Sequence, residues 1–134
     1  MTTDDLNPLA KVCKDMIQQS RGILAWAWDD RFECAIATYP AAKEADVEAI
    51  FQRVFQHEWD CDSISTAPEN LAIASDDLGG LRPGQFIHAT DPEREAFLMA
   101  VFWPWANGTT VSIRVLLVGA ANAARLLKGW LSAR

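Results

Sequence analysis

The sequence predicts an α+β domain in which helices cover both faces of a five-stranded antiparallel sheet, in the order α-β-β-α-β-β-β-α. Three observations carry this expectation. Asn107-Gly108 stands between two long apolar runs, the pattern of a β-hairpin. Apolar residues recur at helical spacing near the start, the middle and the end of the chain. After the first of these helices, GILAWAW (22–28) and FECAIATY (32–39) are separated only by Asp29, Asp30 and Arg31, as two strands and a polar turn would be. The 134 residues suit a single domain over 1–134, able to bury roughly two-thirds of its unfolded surface around one core.

Taken in order, Leu9, Val12, Cys13, Met16 and Ile17 place apolar side chains on one helical face, with Asn7 as cap, Pro8 in the first turn and Gly22 at the end. The two strands of the first hairpin follow. Val47, Ile50, Phe51, Val54 and Phe55 restore helical spacing, which predicts a second helix from about Ala42 to His57 with acidic residues in its first turns. From Glu58 to Leu81 the pattern is ambiguous. Thr66 and Glu69 form a capping box ahead of Leu71, Ala74 and Leu78, and Gly79 and Gly80 would end a helix, so an extra short helix near 67–78 is favoured over a strand. RPGQFIHAT (82–90) reads as extended, and Asp91-Pro92 opens a type I turn.

The Asn107-Gly108 pair predicts a type I′ turn, because both central residues of that turn need positive φ. Counting outward sets Trp103 opposite Ser112, Val101 opposite Arg114 and Phe97 opposite Val118 on one side of the sheet. The other side pairs Phe102 with Ile113, Ala100 with Val115 and Leu98 with Leu117, a wholly apolar set that must be core. Ala123, Leu126, Leu127, Trp130 and Leu131 trace the face of a last helix.

The net charge of −6 is unevenly spread. No Lys or Arg lies between Arg53 and Arg82, where Glu58, Asp60, Asp62, Glu69, Asp76 and Asp77 supply six negative charges. Glu58, Asp60, Asp62, Asp76 and Asp77 are the candidates for an acidic surface that would meet a basic protein. A phosphate backbone would be repelled, so nucleic acid is not an expected partner. Apolar runs stop far short of the ~20 residues a membrane span requires, and no leader-like segment opens the chain, so a cytoplasmic protein is expected. Cys13, Cys34 and Cys61 are odd in number and form no CxxC, which predicts neither disulfides nor a zinc site.

Six tryptophans are many for this length, and four fall in two W-x-W pairs, Trp26 with Trp28 and Trp103 with Trp105. Alternation puts each pair on one sheet face. Thr110, Ser112 and Arg114 share the face of the second pair, which therefore reads as half wet, and Pro104 donates no ladder hydrogen bond. Aromatics beside an arginine have the composition of interface anchors. Trp103, Trp105, Arg114, Trp26 and Trp28 are accordingly the candidate interface residues.

No catalytic constellation is visible. His57, Glu58, Asp60, Cys61 and Asp62 carry metal-capable atoms at spacings that converge on no single point, and the segment lacks the glycine and glutamate of a calcium loop. His88 has no serine elbow or cysteine partner, and Gly79, Gly80 and Gly84 match no phosphate-binding loop. No catalytic residue, metal ligand or cofactor is expected.

In element order the chain resembles the bacterial Roadblock-type domains, relatives of the dynein light chains of that name, with a profilin/Roadblock-like sheet. GILAWAWDDRFECAIATYP is similar to their first hairpin leading into the second helix. The resemblance implies a three-layer homodimer that regulates or scaffolds a protein partner, often a small Ras-like GTPase. In length and acidity the chain also resembles the small dimeric chaperones of type III secretion. The leading expectation is thus a non-enzymatic regulatory or scaffold domain. The alternatives are such a chaperone, a small-ligand sensor whose pocket is lined by Trp26, Trp28, Trp103 and Trp105, and an enzyme using His57, Cys61 or His88.

Overall fold

The computed structural model describes residues 3–132 as four helices and one open antiparallel sheet of six strands. The helices are α1 (Thr3–Gln19), α2 (Glu44–Val54), α3 (Glu69–Asp77) and α4 (Ala123–Ser132). The strands are β1 (Ala27–Asp29), β2 (Cys34–Pro40), β3 (His57–Asp60), β4 (Phe86–Ala89), β5 (Phe97–Pro104) and β6 (Thr110–Val118), in the spatial order β1-β2-β6-β5-β4-β3. The α+β class with helices on both faces is as the sequence indicates. The strand count is six, not five.

The additional strand is β3, which takes His57, expected at the end of the second helix, together with Glu58, Trp59 and Asp60 of the segment whose pattern is ambiguous. Helix α2 stops at Val54, Phe55 turns extended (φ −109, ψ 137), and His57 to Asp60 pair with Ala89 to Phe86. Only Trp59 among His57-Glu58-Trp59-Asp60 is apolar, so the strand shows no alternation to read and owes its existence to the neighbour it pairs with. The first strand is also shorter than GILAWAW suggests. The amides of Ile23 and Leu24 donate to the Ser20 carbonyl in the turn that closes α1, which withdraws them from any sheet. Pro8 lies inside α1, which begins earlier, at Thr3.

The short helix expected near 67–78 is present as α3. Its capping box is not: Pro68 precedes the helix without a side-chain cap, and the Thr66 hydroxyl donates instead to the Ser63 carbonyl at 2.7 Å. In the β5–β6 hairpin the expected cross-strand pairs are found from Phe97 with Val118 to Pro104 with Val111, and beyond them Trp105 and Thr110 share a single backbone hydrogen bond. The turn itself differs. Gly108 has φ +73 while Asn107 does not enter the positive-φ region, which rules out type I′. Asn107 serves through its side chain, whose Oδ1 accepts from the amides of Thr109 (2.9 Å) and Thr110 (3.1 Å).

Two cores result. Leu98, Ala100 and Phe102 of β5 and Val111, Ile113 and Val115 of β6 pack against α1, α2 and α4 on the first face. There Phe102 stacks on Phe86 (centroids 4.5 Å) and meets Phe51 edge-on (4.9 Å), geometries each worth about 0.5–1.5 kcal/mol beyond area burial. Phe97, Met99 and Val101 of β5 with Ile87 and Ala89 of β4 form the second core beneath Leu71 of α3. Because α3 covers only the β5-β4-β3 half, the β2-β6 half of that second face keeps Thr38 exposed and Ile36 half-buried.

Past β6 the chain turns at Gly119, with φ +86 and so little room that a Cβ would run into the Glu95 carbonyl. Gly119→Ala is expected to lower stability by about 3 kcal/mol through strain and overlap together. Gly84→Ala, at φ +87 but in open space, should cost about 1 kcal/mol. Urea unfolding of both variants checks the difference.

Candidate interaction surface

Strand β4 ends its pairing with β5 at Phe86 and Phe102, so Trp103 and Pro104 run past it and β5 becomes locally an edge. A proline is tolerated there because no neighbouring carbonyl waits for its missing amide. The hairpin tip is nonetheless well tied: the Trp105 amide donates to the Thr110 carbonyl at 2.8 Å, and the Ala41 amide to the Thr109 carbonyl at 2.8 Å. On this tip Trp105 is 49% exposed, one of few large apolar side chains left to solvent.

Trp103 and Arg114 lie just inside the tip on the second face. The Arg114 guanidinium sits between two rings, 4.6 Å from the Trp103 centroid and 5.3 Å from that of Phe32, and its Nε lies 3.6 Å from Asp29 Oδ2. Arg114 is therefore a clamp that fixes the β1–β2 turn and the Trp103 ring over β6, with its side chain only 19% exposed. Its contribution to a surface is indirect, through the posture of Trp103.

The first tryptophan pair is elsewhere. Trp26 and Trp28 pack against the first core beside α4; Trp26 Nε1 donates to Ser20 Oγ at 3.1 Å and Lys128 Nζ lies 5.8 Å from the Trp28 ring. Trp103 belongs to the opposite core, so the four tryptophans do not share a pocket. A crevice of about 470 Å³ lies between α1, the end of α2 and the β4–β5 loop, is lined by Pro8, Leu9, Val12, Val54, Thr90 and Ala96 among others, and contains no tryptophan.

The acidic candidates are also divided. Glu58 and Asp60 lie on the edge strand β3, Asp62 in the turn after it, and Asp76 and Asp77 at the far end of α3. Asp60 is committed locally, accepting from the amides of Asp62 and Ser63 and from the Ser63 hydroxyl, and these bonds hold its carboxyl below the usual range. The three residues weighed for chemistry do not meet. His57 stacks on Trp59 (5.9 Å) on one side of β3, whereas His88 is buried on the other face of the sheet. Burial, then Asp62 and Asp60, raise the Cys61 thiol, the reverse of what a nucleophilic thiolate needs.

One cluster was invisible in the sequence. Glu48 of α2, Glu58 of β3 and His88 of β4 bring a ligand-type atom each to within 4.8 Å of one another. Spacings of ten and thirty residues match no metal motif, and only the pairing of β3 with β4 under α2 assembles the group. The available signals were His88, a polar residue in the predicted strand FIHA, and Glu58, one of the metal-capable residues of the 57–62 segment, with nothing in their spacing to join them. No helix among the described residues is long and apolar enough to cross a membrane. No family model, curated protein or solved structure matches the chain.

Burial pushes the thiols of Cys13 and Cys34 up to about 11. At mildly alkaline pH a thiol reagent is expected to label Cys61 alone in the native protein, and slowly, with Cys13 and Cys34 reacting only after denaturation. Mass spectrometry of the labelled peptides checks this.

Proposed function

We propose that the chain is a non-enzymatic regulatory or scaffold domain that works as a homodimer, two copies meeting through the β5–β6 tip. The observation that carries this reading is Trp105, half exposed on a hairpin tip anchored by the Trp105 amide to the Thr110 carbonyl and the Gly108 amide to the Trp105 carbonyl, with Trp103 and Pro104 as its neighbours. An aromatic held out rigidly loses little conformational entropy on association and is the residue type that anchors interfaces.

Charge supports a second copy as the occupant. No charged residue occurs from Ala96 to Ile113, so the tip is neutral on a chain of net charge −6. Two identical acidic molecules can approach there without opposing their Glu58–Asp77 segments, whereas most other approaches bring like charges together. The sheet edges are poor alternatives. β1 has three residues, and β3 has four, of which Glu58 and Asp60 are charged; short charged edges resist strand addition. A homodimer of this kind leaves the acidic segment outward for a further protein partner, which is how a scaffold domain would act.

Sedimentation equilibrium at micromolar concentration is expected to give twice the chain mass for the wild type and the chain mass for Trp105→Glu, with unchanged circular dichroism. Wild-type protein that stays at the chain mass throughout that range overturns the reading.

A further inference from the structure

The Glu48–Glu58–His88 cluster is unfinished as it stands. His88 is 1% exposed, with its ring framed by Phe51, Phe86 and Phe102 at 6.1, 5.7 and 5.4 Å. Its Nε2 makes no hydrogen bond, although Glu58 Oε1 lies 3.7 Å away across the β3–β4 pair. A buried polar atom left without a partner costs about 1–3 kcal/mol, and proteins rarely carry one without a use. Burial also pushes His88 down to about 4, so the imidazole is neutral near pH 7 and keeps a lone pair to give. A neutral ring cannot compensate the two carboxylates beside it. Glu58 is raised by burial and then by Glu48 and Asp60, and among the described residues no Lys or Arg pairs with either glutamate.

A neutral imidazole nitrogen and two carboxylates, with a positive charge missing between them, form the donor set of a first-row divalent metal ion. We propose that Glu48, Glu58 and His88 bind such an ion, of the zinc class, through His88 Nε2 and one oxygen of each glutamate. The nitrogen ligand disfavours calcium and magnesium, and the lack of a thiolate disfavours copper(I). Around an ion with bonds of ~2.1 Å the ligand atoms must close to about 3.4 Å. The two glutamates supply that movement, since no hydrogen bond fixes either of them among the described residues. Glu58, with a side chain 45% exposed, opens the site to solvent, so water completes the coordination. The phenylalanine shell holds the imidazole orientation while Glu48 and Glu58 adjust.

Zinc titrated into chelator-treated protein against a chromophoric competitor tests this, with cobalt absorption reporting the ligand field. One ion per chain is expected, with a rise in melting temperature. Glu58→Gln and Glu48→Gln should each weaken zinc binding about tenfold or more and remove most of that rise. Glutamine matches glutamate in size at both positions, and circular dichroism checks that the variants fold. Absence of zinc binding by the wild type overturns the proposal. So does binding that survives both glutamine variants but disappears in His57→Ala, which would mark an adventitious ion on the exposed histidine of β3.

Discussion

Strand β5 is buried on both sides from Phe97 to Phe102, and the rest of the molecule is arranged by that burial. Leu98, Ala100, Phe102, Ile113 and Val115 require a cover on one face; Phe97, Met99 and Val101 require another on the opposite face. A single amphipathic layer cannot satisfy both. Helices α1, α2 and α4 close the first face, and α3, inserted between β3 and β4, closes half of the second. The register that makes this possible admits no slip, because moving one residue would exchange Arg114 and Ser112 for core side chains.

The same asymmetry creates the surface features. Since α3 is short, the β2-β6 half of the second face is covered only by the β1–β2 turn, held down where Asp29 and Phe32 meet Arg114. Because β4 ends before the hairpin does, Pro104 and Trp105 run on into solvent, with Trp103 half-buried behind them. The metal-type cluster arises on the other face from the same geometry. Strand β3 is polar and lies at an edge, so Glu58 can face buried His88 while its own side chain reaches water. The tip and the cluster lie on separate parts of the fold and impose no requirement on each other.

Much of this architecture is legible in the residues. Helical spacing located α1, α2, α3 and α4 to within a few residues, since each buries one face and must repeat apolar side chains to do so. The hairpin register followed from Asn107-Gly108 even though the turn type did not. Loops of two or of four residues centred on the same bond give the same pairing, and Asn107 was selected for its carbonyl oxygen as an acceptor, not for its tolerance of positive φ. The exposure of Trp105 was likewise readable, from Pro104 and from the polar residues opposite.

What the sequence by itself determined is the set of local periodicities and the one turn that aligns the central strands, because those depend on neighbours a few residues apart. Tertiary structure alone decided where His57-Glu58-Trp59-Asp60 would go, a tetrapeptide with no apolar period that becomes a strand only because β4 offers it a partner. It alone separated Trp26 and Trp28 from Trp103 and Trp105, since the face a strand presents depends on the register of its sheet. And it alone joined Glu48, Glu58 and His88, residues distant in the chain whose meeting requires a helix crossing over an antiparallel pair, a geometry that no linear spacing encodes.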